Sequence, residues 1–198
     1  MPNDILKLND KRIVIAGPIL TYSLDVASQM SRQGASVVFL SPDKDAAERL
    51  CQVINDEREI SSQNGRAAFV HMNFEKTSAA SLMAEAATAG SGIDIYMDLM
   101  NWHFPTAEPL KEWPEKSVQH NFQQSLQLAM AALEFFKGRK KGKIIFTFDG
   151  LPFSHLARAA DYAIARGSVF SFIESQSQIL LKSHIHLMGC RINLTEDI

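Results

Sequence analysis

Only two cysteines occur among the 198 residues, Cys51 and Cys190, and their separation gives no metal-type pair. Such usage suits a reducing cytoplasm, the expected location. No apolar run approaches the roughly 20 residues that cross a bilayer. Residues 1–10 lack the basic start and apolar stretch of an export signal, so no membrane partner is expected. Excess charge is missing too: the net charge of −2 gives no global attraction to nucleic acid. Internal repeats, low-complexity tracts and linkers are also absent. With 46% hydrophobic residues, 1–198 is expected to form a single domain with a proper core.

What the chain does have is alternation. Short apolar runs read as strands at 12–16, 36–40, 67–72, 93–98, 144–148 and 186–194. Segments of helical period separate them at 24–33, 45–55, 79–89, 116–137 and 157–183. This pattern predicts an α/β fold, a doubly wound parallel sheet of about six strands with helices on both faces. Leu50, Val53 and Ile54 are expected to form a buried stripe, and Gly34 to stop the first helix. The run Lys137-Gly138-Arg139-Lys140-Lys141-Gly142-Lys143 reads as a solvated turn between a helix and a strand, not a nucleic-acid patch.

Tyr162 and Arg166 stand one helical turn apart, so they share a helix face. Thirteen residues before Tyr162, Asp149 closes a strand-like run. This arrangement resembles the active-site helix of the short-chain dehydrogenase/reductase family, where the motif is Tyr-x-x-x-Lys with a serine near the position of Asp149. The resemblance covers essentially the whole chain. Gly17 matches the opening of the family's Thr-Gly-x-x-x-Gly-x-Gly loop, and Gly34-Ala35-Ser36-Val37-Val38 its turn into the second strand. Gly92-Ile93-Asp94-Ile95 resembles the entry to the fourth strand, and Gly189-Cys190-Arg191-Ile192-Asn193 the sixth. Asn73 falls where the family has an acidic or amide residue near the adenine, and Asn121 where it has a helix asparagine. The resemblance implies a Rossmann-like fold, an NAD(P) site at Gly17, Thr21, Ser23 and Asn73, and catalytic positions at Tyr162, Arg166, Asp149 and Asn121.

The departures from that pattern carry the functional expectation. Thr21 and Ser23 stand at the second and third glycine positions, placing a Cβ where backbone amides approach a pyrophosphate. Asp25, read as belonging to the first turn of the next helix, would repel phosphate. Ser41-Pro42-Asp43 follows neither the NAD nor the NADP rule, and Asp43 reads as a helix N-cap. Leu99 and Met100 replace small residues of the family's Asn-Asn-Ala-Gly loop. At the catalytic positions, Arg166 can stabilise a phenolate. An ionised Asp149 cannot donate the hydrogen bond that the serine gives to a substrate oxygen. No cofactor is therefore expected, with NAD(P) the cofactor if the cradle still functions.

Two function classes follow. One is a non-reductase member of that family, acting as a partner or regulatory subunit or a small-ligand binder. The other is an enzyme: an NAD(P)-dependent oxidoreductase, or a cofactor-free lyase using Tyr162 and Arg166, as the similarity to halohydrin dehalogenases implies. The family continues past its sixth strand into a substrate-covering lobe, so that lobe is expected to be missing from 1–198. In the family the helices around 121–136 and 162–181 pair with their copies in a neighbour; the resemblance, with apolar residues Phe122, Leu126, Leu133, Val169, Phe170, Ile173 and Leu180 on them, implies a homodimer through these helices, or hetero-pairing with a paralogue. His184, His186 and Cys190 fall short of a metal site, which needs three or four convergent ligands. Trp102, His103, Phe104, Phe148, Phe153 and His155 are expected at one end of the sheet, as an aromatic pocket or as core.

Overall fold

The computed structural model describes residues 8–19, 21–60, 65–99, 122–149 and 160–192. Six strands form a parallel sheet: β1 (Arg12–Ala16), β2 (Ser36–Ser41), β3 (Ala67–His71), β4 (Ile95–Asp98), β5 (Gly142–Asp149) and β6 (Ile185–Ile192), in the order β3-β2-β1-β4-β5-β6. Five helices accompany them among the described residues: α1 (Thr21–Arg32), α2 (Lys44–Ile60), α3 (Ala79–Ala89), α4 (Gln124–Arg139) and α5 (Ala160–Leu181). This is the doubly wound α/β architecture expected. Packing divides the chain into two compact units, Met1–Tyr96 and Met97–Ile198.

In the first unit, β1 pairs with β2 from Arg12 opposite Ser36 to Ala16 opposite Leu40, and β2 pairs with β3. The near-continuous burial of Ile13, Val14, Ile15, Val37, Val38, Phe39 and Leu40 is what parallel strands covered on both faces require. Ala47, Leu50, Cys51 and Ile54 form the buried stripe of α2, whereas Val53, expected in it, is exposed. The helical turn of 3.6 residues rotates position 53 off the face shared by 47, 50, 51 and 54. Gly34 ends α1 at φ 89, with its amide bonded to Ser31 O and that of Ala35 to Met30 O. Beside β1, Arg12 grips Asp94 with Nε to Oδ2 at 2.7 Å and Nη2 to Oδ1 at 2.8 Å.

In the second unit, β5 and β6 run in register from Gly142 opposite Ile185 to Asp149 opposite Ile192. Leu128, Ala129, Ala132, Leu133 and Phe136 bury one face of α4, and Ala165, Val169 and Leu180 bury one face of α5. Leu133, Val169 and Leu180 are thus core of this unit and offer nothing to a dimer. Phe122, Leu126, Phe170 and Ile173 are half-buried, and Met130, one turn beyond Leu126, is 40% exposed.

Cys51 is buried and Cys190 exposed. Burial, with a smaller contribution from Glu48, pushes the Cys51 thiol up to about 12. An unfolded thiol titrates near its ordinary value of about 8.5. Between those values the unfolded chain holds fewer protons than the native one, so stability falls as pH rises through that window, by at most about 1.4 kcal/mol per unit. Urea midpoints measured from mildly to strongly alkaline pH should decline, and Cys51→Ala should flatten the decline.

Candidate functional site

The loop after β1 keeps one requirement of a phosphate cradle. Gly17 has φ 143, which only glycine adopts freely, and its amide bonds to Leu40 O at 2.9 Å. Two residues on, the amide of Ile19 donates to Asp43 Oδ2 at 3.3 Å. Asp43 immediately precedes α2, its carbonyl accepting from Ala47 N at 2.9 Å as an N-cap residue's should, but its carboxylate reaches across to the β1 loop. Ser41 Oγ fixes this turn by accepting from Asp43 N at 3.2 Å.

Thr21 begins α1, three residues earlier than the sequence pattern suggests. Ser23 lies inside the helix at 1% exposure, so it is a packing residue here. The third glycine of a dinucleotide loop serves close helix–strand packing, and the buried serine occupies that role. Because α1 starts at Thr21, no acidic residue lies in its first turn. Asp25 sits in the second turn, exposed, where the helix dipole has largely faded. That corrects the expectation that Asp25 acts at the helix N-terminus. Asn73 follows β3, and its Oδ1 accepts from Glu75 N at 3.0 Å, closing a local turn.

The catalytic positions fall in the second unit. Asp149 is the last residue of β5, and α5 runs through both Tyr162 and Arg166. Arg166 is 5% exposed, its guanidinium carbon 6.0 Å from the Phe148 ring centre and 5.8 Å from that of Phe170. Those two rings stack at 4.3 Å and 11°. A planar guanidinium packs against aromatic rings better than an ammonium does, which accounts for arginine where the resemblance has lysine. Phe148 is core, not the wall of an open pocket. Asn121, Met100, Trp102, His103, Phe104, Phe153 and His155 lie outside the described residues.

Sequence reasoning missed a buried polar cluster at the ends of β4 and β5. Asp98, at 0% exposure, accepts a hydrogen bond from Ser125 Oγ at 2.8 Å, and its carbonyl accepts from Thr147 Oγ1 at 2.7 Å. Ser125 and Thr147 are themselves buried. The signal was available in outline: an aspartate ending an apolar strand needs a partner when covered. Nothing local identified serine 27 residues away as that partner. Among the described residues no group of three metal-ligating side chains converges.

A family model described as short chain dehydrogenase matches residues 11–196. The chain belongs to the short chain dehydrogenase family. Its fold is shared with an NAD+-bound xylitol dehydrogenase at TM-score 0.75 and 16% identity, covering 95% of this chain and 72% of that one. A short chain dehydrogenase from Mycobacterium smegmatis gives TM-score 0.80 at 15% identity, over 96% and 79% of the two chains. A short-chain type dehydrogenase/reductase from Mycobacterium marinum gives 0.74 at 17%, over 94% and 75%. No curated protein sequence matches the chain. At these identities the solved structures establish the short chain dehydrogenase fold.

Proposed function

We propose that residues 1–198 form one short chain dehydrogenase domain that is not a reductase and serves as a partner or regulatory subunit or as a small-ligand binder. The observation carrying this reading is the hydrogen bond from Ile19 N to Asp43 Oδ2. An amide in the loop where a dinucleotide would rest its pyrophosphate already serves a carboxylate, and that carboxylate repels an incoming phosphate. The residues present therefore do not fit NAD(P).

Asp43→Ala is the test. It frees the Ile19 amide and removes one negative charge, so affinity for NADH, measured calorimetrically, should rise at least about tenfold over the wild-type protein. Micromolar NADH binding by the wild type would overturn the reading. One observation favours the second reading: packing against Phe148 and Phe170 fixes a cation one turn beyond Tyr162. On that reading Tyr162 is the acid/base of an NAD(P)-dependent oxidoreductase or of a cofactor-free, dehalogenase-like lyase, and saturable NADH or halide binding would select it.

Self-association is part of the proposal. Phe122, two residues before α4, recurs at fourfold spacing with Leu126 and Met130 of α4, and Phe170 and Ile173 of α5 are also half-exposed. These residues replace the wider set read from the sequence as the dimer face, with sedimentation mass as the check; pairing with a paralogue would use the same residues.

A further inference from the structure

The basic run after α4 reads in the sequence as an isolated solvated turn, but the strand register gives it company. Both α4 and α5 feed directly into paired strands, with Gly142 opposite Ile185 and Lys143 opposite His186. The end of α4 with the turn 140–141, and the turn 182–184, therefore meet at one end of the second unit. Lys140, Lys141, Lys143, Lys182, His184 and His186 are all exposed there. Neither 135–148 nor 175–192 contains an acidic residue, so in a chain of net charge −2 this end is locally cationic. The last turn of α5 adds two exposed aliphatic side chains, Ile179 at 59% and Leu181 at 45%.

The bland account is that lysines near helix C-termini complement the helix dipole. It covers Lys137, which also pairs with Glu134 at 2.7 Å, but neither the lysine beyond it on β5 nor the exposed Ile179 and Leu181. The left-handed turn positions point the same way. Lys140 has φ 51 and His184 φ 58, so a basic side chain fills the position where glycine is easiest at both helix ends.

We propose that this end of the second unit docks on an anionic lipid bilayer. Clustered lysines hold the headgroup phosphates, and Ile179 and Leu181 enter the headgroup–acyl boundary, the combination that makes interfacial attachment stable. A nucleic acid would use the cations but has no place for the two aliphatic side chains. It would also call for stacking aromatics, which the exposed residues of these two turns do not supply. Such attachment needs no membrane-spanning helix, and the described residues contain none.

Co-sedimentation of the full chain with lipid vesicles tests it. The protein should pellet with vesicles in which phosphatidylglycerol is about a third of the lipid, remain in solution with pure phosphatidylcholine, and be released between about 0.1 M and 0.5 M salt. The triple variant Lys140→Glu, Lys141→Glu, Lys143→Glu should lose about a hundredfold or more in affinity. Ile179→Ser with Leu181→Ser should lose about tenfold or more by giving up buried apolar area. Circular dichroism and melting confirm that each variant is folded, and Lys182→Glu is the substitute for any that is not. No sedimentation with anionic vesicles, or equal sedimentation with neutral ones, overturns the proposal. So does unchanged vesicle binding by the lysine variant. Binding to duplex DNA without binding to vesicles also overturns it, in favour of a nucleic-acid partner.

Discussion

Asp98→Ala should lower the unfolding free energy by about 3 kcal/mol, the upper part of the range for leaving a buried hydrogen-bonding group without its partner. Ser125 Oγ donates to this fully buried carboxyl group at 2.8 Å, so truncation strands a buried donor and leaves a cavity. The bond also ties β4 to the first turn of α4, and its loss should loosen the start of that helix. Asp98→Asn keeps the shape and one acceptor oxygen, and should cost about half as much. Urea unfolding of the two variants gives both values. A loss below about 1 kcal/mol for the alanine variant would mean that the cluster is not needed to hold β4 to α4.

Gly142→Ala should be at least as damaging, about 3 kcal/mol, by overpacking. A methyl group at position 142 would overlap the ring of Phe136, which is itself fully buried under the same strand. Backbone movement offers little relief, because Gly142 opens β5 in register with Ile185. Phe136→Leu alone should cost about 1–2 kcal/mol through lost contacts. In the double variant the smaller side chain should accommodate the methyl, so the summed loss should exceed the measured one. Strict additivity would contradict this steric account.

Most of the fold was legible because it rests on local pattern. β1 and α3 begin and end where the apolar runs and helical period place them. Buried parallel strands announce themselves as continuous Val, Ile and Phe. The start of α1 was not legible: Thr21 and Ser23 belong to types that favour turns and caps over helix interiors, and burial of Ser23 overrides that preference. Val53 was misplaced because an apolar type does not reveal which face of a helix it occupies.

The site was legible only in its residue types. That Thr21, Ser23 and Asp43 depart from a dinucleotide pattern can be read from the chain. That the Asp43 carboxylate turns to Ile19, 24 residues earlier, cannot, because it depends on β1 and β2 lying side by side. Arg166 shows the same limit. Its spacing from Tyr162 suggested a phenolate partner, whereas its burial against Phe148 and Phe170 depends on how α5 lies on β5.

The most direct measurement of the central claim is the amide resonance of Ile19 in 15N-labelled protein as NADH is added. With its hydrogen bond committed to Asp43, that resonance should stay in place at millimolar NADH in the wild type and shift in Asp43→Ala. A saturable shift of the wild-type Ile19 amide would show phosphate seated in the β1 loop and contradict the account.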